Sequence, residues 1–271
     1  MDDYLSALDT FDEAVCEACA VSNIIGDRYV IHYKGYSTGI FTRICIHSQA
    51  MISSLPKSRW AKREYECWDF SNIASHVRAL MEGFLLFKYI SEKPKSEQEW
   101  HVKVNIMHLN DCARRIRLHQ NIDNKKDEEL FRSQLNVIKK KLMGTDYFQN
   151  LPKKTQKHLL SGRAMMIPSR DDLLKKLGEE VGLFNAFYDL VSNYTHILPI
   201  SFYRSKSNGR GTGVINKTDF DYIIFSVKNC TDWLEASTSR MVEMFPDSGK
   251  ARKGKESKFT IGPDYNTKNW P

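Results

Sequence analysis

Apolar residues recur at helical spacing in at least six segments of the chain, and no segment shows the period-two alternation of a half-buried strand. The densest segment runs from Asp69 to Ile90. Ile73, Val77, Leu80, Met81 and Phe84 fall on one stripe, and Leu85, Phe87 and Ile90 carry the apolar surface most of the way round. A helix apolar on nearly every side is packed by several neighbours, so this stretch is expected to be the central helix. Asp69 is a suitable N-cap for it. Roughly 22 residues rising 1.5 Å each give a rod about 33 Å long, enough to cross a domain. Two charges, Arg78 and Glu82, sit inside it, one turn apart on one face.

The other segments follow the same period. Leu5, Leu8, Phe11 and Val15 mark an amphipathic helix over residues 3–20, and Arg28 to Tyr33 reads as a short strand or an irregular connector. Ile40, Phe41, Ile44, Cys45, Ser48, Met51 and Leu55 mark a helix stopped by Pro56. Trp100, Val104, Met107 and Ile116 suggest a helix from about 96 to 118, and Leu130, Leu135, Ile138 and Leu142 another, ending at Gly144. Ser169 caps a further helix, and residues 179–198 form the second strongly apolar one, ended by Pro199. Residues 205–213, rich in Gly and Ser, read as a flexible loop, and 219–245 as a last long helix. The expected fold is all-α: a multi-helix bundle over residues 1–246, with core helices at about 38–90 and 170–245. Residues 247–271 are expected to be a disordered basic tail, because Lys250 to Lys258 holds no apolar side chain larger than Ala to offset ordering entropy. Phe259, Ile261, Tyr265 and Trp270 make its end apolar enough to dock on the body or on a partner.

Composition narrows this picture. With 41% hydrophobic residues, the 271-residue chain can bury a large core. No apolar run approaches the roughly 18–20 residues of a membrane span, and the acidic start lacks the basic and apolar regions of a signal peptide. Six cysteines, mostly isolated on apolar positions, read as reduced core thiols, so the chain is expected to be cytoplasmic. The glycosylation-type triplets at Asn193, Asn216 and Asn229 then carry no meaning. The formal charge is +7, and its distribution says more than its total. Residues 1–21 hold six acids and no Lys or Arg, whereas the middle and the tail are basic. The acidic helix is expected to dock on a basic part of the same chain, or it or the tail to meet a protein partner.

Motifs with chemistry are few. Cys16-Glu-Ala-Cys19 has metal or redox spacing, but no second ligand pair accompanies it and acids surround it, so the two cysteines are expected to be structural, with no metal and no cofactor bound. Gly209, Gly211 and Gly213 surround Arg210, but no strand precedes them and no Gly-Lys-Ser/Thr follows, so neither phosphate-loop fingerprint is met. Arg114, Arg115, Arg117, Lys139, Lys140 and Lys141 belong to the densest basic region, a candidate surface for RNA or DNA. Arg114 to His119 also has the Arg-then-His spacing of some helical ribonucleases of the HEPN superfamily, with Arg115 in place of the usual polar residue. The strongest constellation is internal. Ser192 and His196 lie four residues apart on the second apolar helix, with Tyr188 a turn earlier. If that helix packs beside the central one, Glu82 can orient His196 as a base, with Arg78 as an anion clamp, or the same groups can form a satisfied polar tie between helices.

The runs Phe41-Thr-Arg43, Arg78-Ala-Leu-Met-Glu82, and Tyr188 with Ser192 and His196 resemble a family of bacterial all-helical proteins of unknown function, over residues 38–90 and 170–204. In that family an Arg-x-x-x-Glu helix pairs with a later Tyr/Ser…His helix. The resemblance implies a helical domain and an emphasis on Arg78, Glu82, Ser192 and His196, but no activity. Three functions stay open: a binding protein in stress or defence whose basic surface meets nucleic acid or an acidic partner, a metal-independent nuclease or other hydrolase using His196 and Glu82, and a structural scaffold.

Overall fold

A computed structural model describes residues 1–203 and 209–260. The chain is all-α: eleven α-helices and no strand among the described residues. It divides into two compact units, residues 1–91 with 179–271, and residues 92–178, where the sequence reading treated 1–246 as one domain.

The first unit contains α1 (Asp2–Ile25), α2 (His32–Ser54), α3 (Ser71–Ser91), α9 (Val181–Thr195), α10 (Pro199–Phe202) and α11 (Lys217–Met244). The central-helix expectation holds: α3 packs against α2, α9 and α11, and Ile73, Val77, Met81, Phe84, Phe87 and Ile90 are all buried. Close approach to α2 is set at Gly83, where a Cβ would lie 3.0 Å from Ile44. On another side Phe84 and Phe187 gather round Trp233 of α11 at ring separations of 5.9 and 6.4 Å. No strand or hairpin forms near Tyr29; residues 28–31 connect α1 to α2, which begins at His32.

The expectation of an unpacked tail from Gly249 fails over the described part of that segment. After a 3-10 turn at Pro246–Ala251, the chain lies along the acidic face of α1. Arg252 Nε donates to Glu17 at 2.5 Å, the Gly254 amide donates to the same carboxylate at 3.0 Å, and Lys255 pairs with Asp9. Phe259 stacks on Trp60 at 6.0 Å. Local composition misleads here because the ordering enthalpy comes from acids more than two hundred residues away. Residues 261–271, and the rest of the tail expectation, lie outside the described residues. Slowed amide exchange is expected at Lys253, Gly254 and Ser257, whose N–H groups donate to Ser257 Oγ, Glu17 and the Gly254 carbonyl. Glu17→Ala should speed exchange at Gly254; free-chain rates at all three amides in the unaltered protein would restore the unpacked reading.

The second unit contains α4 (Glu97–Asn121), α5 (Lys125–Met143), α6 (Asp146–Gln149), α7 (Lys153–Leu160) and α8 (Arg170–Leu177). Ser96 and Asn124 cap α4 and α5, each accepting a backbone N–H three residues on, so the two long helices fold back on one another as a hairpin. Val102, Ile106, Leu109, Leu142, Phe148 and Leu159 make its small core. Gly162, at φ +72°, brings the α7–α8 connector so close to α4 that a Cβ there would sit 2.8 Å from Ala113.

Candidate functional site

In the first unit, α3 and α9 run side by side and bring four of the expected residues together. Arg78 is the hub: Nη2 donates to the Tyr188 hydroxyl at 2.7 Å, Nη1 to Ser192 Oγ, and Nε to Glu82 Oε1 at 3.3 Å. The Tyr188 hydroxyl donates in turn to Glu82 Oε1 at 2.8 Å, and Ser192 Oγ donates to the Tyr188 carbonyl at 2.6 Å. The guanidinium also lies 4.7 Å from the centre of the Tyr188 ring, a cation–π contact. The helical spacing accounts for this: Arg78 and Glu82 are four apart on α3, Tyr188 and Ser192 four apart on α9. Phe184, Phe187 and Val191 fill the buried face of α9 and leave its half-buried edge to the polar pair.

His196 does not join them. The helix ends at Thr195, His196 is its C-cap, and Ile197 turns the chain away at φ +53°. The imidazole is exposed, and among the described residues no hydrogen bond or ion pair links it to Arg78 or Glu82. Sequence periodicity runs through to Pro199 and hides this stop, because a helix can end on its own backbone, without a Gly.

The Gly-rich segment behaves unlike a free loop over its described residues, 209–213. Arg210 is drawn inward: Nη2 donates to Asp219 Oδ1 at 2.8 Å and also to the Tyr194 hydroxyl, and the guanidinium lies 5.5 Å from the Tyr222 ring centre. The Gly213 carbonyl accepts from the Trp68 amide at 2.8 Å. Residues 204–208 lie outside the described set. This buried Arg–Asp pair was not anticipated; its one signal was a charged residue among glycines.

Cys16 sits beside Asp12, whose carboxylate accepts from Arg59 Nε at 2.5 Å and Trp60 Nε1 at 2.7 Å. Burial alone would raise the Asp12 carboxyl, but these hydrogen bonds outweigh it and hold the group below the usual range. Burial, helped by Asp12, pushes the Cys16 thiol up to about 11, which keeps it protonated and unreactive near neutral pH.

The profile of a family of unknown function, DUF5677, matches residues 34–212, two thirds of the chain. The chain belongs to DUF5677. The matched span holds Arg78, Glu82, Tyr188, Ser192, His196 and Arg210, together with the whole second unit; α1 and α11 lie outside it. No curated protein and no solved structure matches the chain.

Within the DUF5677 span, the second unit carries the charge. Residues 92–178 hold nineteen Lys and Arg against eleven Asp and Glu, a formal +8, which leaves −1 for the rest of the chain. Arg114, Arg115 and Arg117 are exposed on α4, and Lys140 and Lys141 on α5, with Lys139 half-buried. Arg115 pairs with Asp111 at 2.8 Å and lies 5.3 Å from the Phe131 ring centre, on which His119 stacks at 5.5 Å. Arg114 Nε donates to the neutral Asn110 Oδ1 at 3.0 Å. Among the described residues no ion pair engages Arg117, Lys139, Lys140 or Lys141. Arg114 and His119 stand on one unbroken helix, where five residues separate directions by about 140°, so they point to different faces of α4. No described helix is long and apolar enough to cross a membrane.

Proposed function

We propose that this DUF5677 protein binds single-stranded nucleic acid through the α4–α5 hairpin of its second unit. The supporting observation is the concentration of the chain's whole positive excess in residues 92–178, with four cations there unengaged by acids. Basic helix faces are often merely solvated, but such faces usually carry compensating acids at i±4, as Arg115 and Arg132 do here. Arg117 and Lys139 to Lys141 lack them. The Arg115–Phe131–His119 stack adds a π surface beside the cations, the combination that single-strand binders use for backbone and bases. Lys141 also opens onto a cleft of about 790 Å³ lined by His101, Asn105, His108 and Asp146, a volume within the range of small-ligand sites.

Three consecutive helical residues fan over about 200°, so at most two of Lys139, Lys140 and Lys141 meet one phosphate row. Replacing all three with Glu is expected to abolish retention on an RNA or single-stranded DNA column at moderate salt. It should also lower the slope of log affinity against log salt by about 2, since each phosphate contact released is worth a little under one unit. Retention unchanged by the triple substitution sinks the proposal. Retention lost on RNA and DNA but kept on an acidic protein column would assign the surface to nucleic acid alone.

We read the Arg78 cluster as a tie between α3 and α9. Every polar group in it is spoken for, and the general-base arrangement with His196 lacks its histidine.

A further inference from the structure

The α2–α3 interface holds a pair of histidines that the proposed nucleic-acid surface does not use. His47 and His76 lie half-buried on facing turns, rings tilted by 50° with centroids 5.7 Å apart, and Nδ1 faces Nδ1 at 3.4 Å. The helices are held at this spacing by the Gly83–Ile44 approach described above. A separation of 3.4 Å is long for a hydrogen bond. It is, however, the bite of a tetrahedral zinc ion: two Zn–N bonds of about 2.05 Å at a tetrahedral angle put the nitrogens roughly 3.3–3.4 Å apart.

We propose that His47 and His76 form a two-histidine site for a divalent first-row transition-metal ion of the zinc class, with the remaining coordination positions taken by water. Among the described residues no group of three or more His, Cys, Asp and Glu is placed to hold a metal, so the site is bidentate and open. Burial pushes both imidazoles below their ordinary range, and His76 and Arg43 push His47 the same way, so the lone pairs a metal needs are free near neutral pH. The imidazole pair suits zinc, cobalt, nickel or copper, and excludes calcium and magnesium, which take oxygen ligands. Arg43, one turn before His47, opposes any cation there and weakens the site.

The test is titration of the full chain with Zn²⁺, and with Co²⁺ as a spectroscopic probe, in a non-chelating buffer at neutral pH. One equivalent of either ion is expected to bind with a rise in thermal stability, and Co²⁺ to show the intense visible bands of a four-coordinate site. His47→Gln and His76→Gln should each weaken binding at least tenfold, whereas Arg43→Ala should tighten it severalfold. The Arg43 arm keeps the proposal testable if a histidine variant folds poorly, because removing a surface cation leaves the helix intact. Binding that survives both histidine substitutions, that is indifferent to Arg43→Ala, or that is absent at about 100 Kd of an ordinary two-histidine chelate would overturn the proposal.

Discussion

Asp219→Ala is expected to lower the unfolding free energy by about 3–5 kcal/mol, the usual cost of stranding one member of a buried ion pair. The Asp219 side chain is 2% exposed and Arg210 15%. The carboxylate accepts twice from Arg210, at 2.8 and 3.3 Å, and once from the Asn216 amide at 2.8 Å, while Asn216 Oδ1 accepts the Asp219 N–H as the N-cap of α11. Removing Asp219 leaves a guanidinium lodged against Tyr194 and Tyr222 with no anion, and loosens the first turn of a helix that packs on α1, α2 and α3. The double variant Asp219→Ala, Arg210→Met should recover much of the loss, because Met keeps contact with the rings and carries no charge. Urea unfolding followed by tryptophan fluorescence reads both. A loss below about 1 kcal/mol in the single variant would mean that the pair behaves as a solvated surface pair.

What the sequence made legible, and what it hid, divides along the range of the interaction. The apolar stripe of α3 and the i,i+4 polar pairs on α3 and α9 are written locally, in the 3.6-residue period, and all of them stand where periodicity placed them. Interactions closed by distant partners left no trace in that period. Arg252 and Lys255 look like a solvated run until Glu17 and Asp9 are brought beside them, and Arg210 looks like part of a glycine linker until Asp219 and two tyrosines surround it. His47 and His76 each sit singly on an amphipathic helix, with nothing in either segment to mark their facing turns. The +8 of residues 92–178 was in plain view as a basic middle, but its meaning depended on knowing where a compact unit begins and ends. His196 failed for the opposite reason: periodicity carried the helix one residue too far, past the point where α9 closes on its own carbonyls.

Arg78→Ala is expected to cost about 2–3 kcal/mol, and His196→Ala less than about 0.5 kcal/mol, in the same unfolding assay. The Arg78 side chain is 24% exposed, so its hydrogen bonds to Ser192 and Tyr188 are only partly open to replacement by water. Deleting the guanidinium leaves both hydroxyls short of a partner, removes the cation from the Tyr188 ring and separates Glu82 from its counter-charge at 3.2 Å. Tyr188→Phe removes one bond to Arg78 and one to Glu82, and should cost about 1 kcal/mol. Because the two substitutions break a shared bond, their double variant should cost less than the sum, with a coupling of about 1 kcal/mol. His196 is an exposed cap that makes no bond to the cluster, so its removal should leave both stability and coupling where they were. The contrast separates the two readings of the four residues. A tie between helices predicts that stability falls in step with the bonds removed, while nucleic-acid retention by the second unit is untouched. If Arg78→Ala unfolds at the same urea concentration as the unaltered protein yet loses a binding or turnover activity, the cluster is a site, and the water-facing edge of Glu82, 48% exposed, is where its ligand would enter.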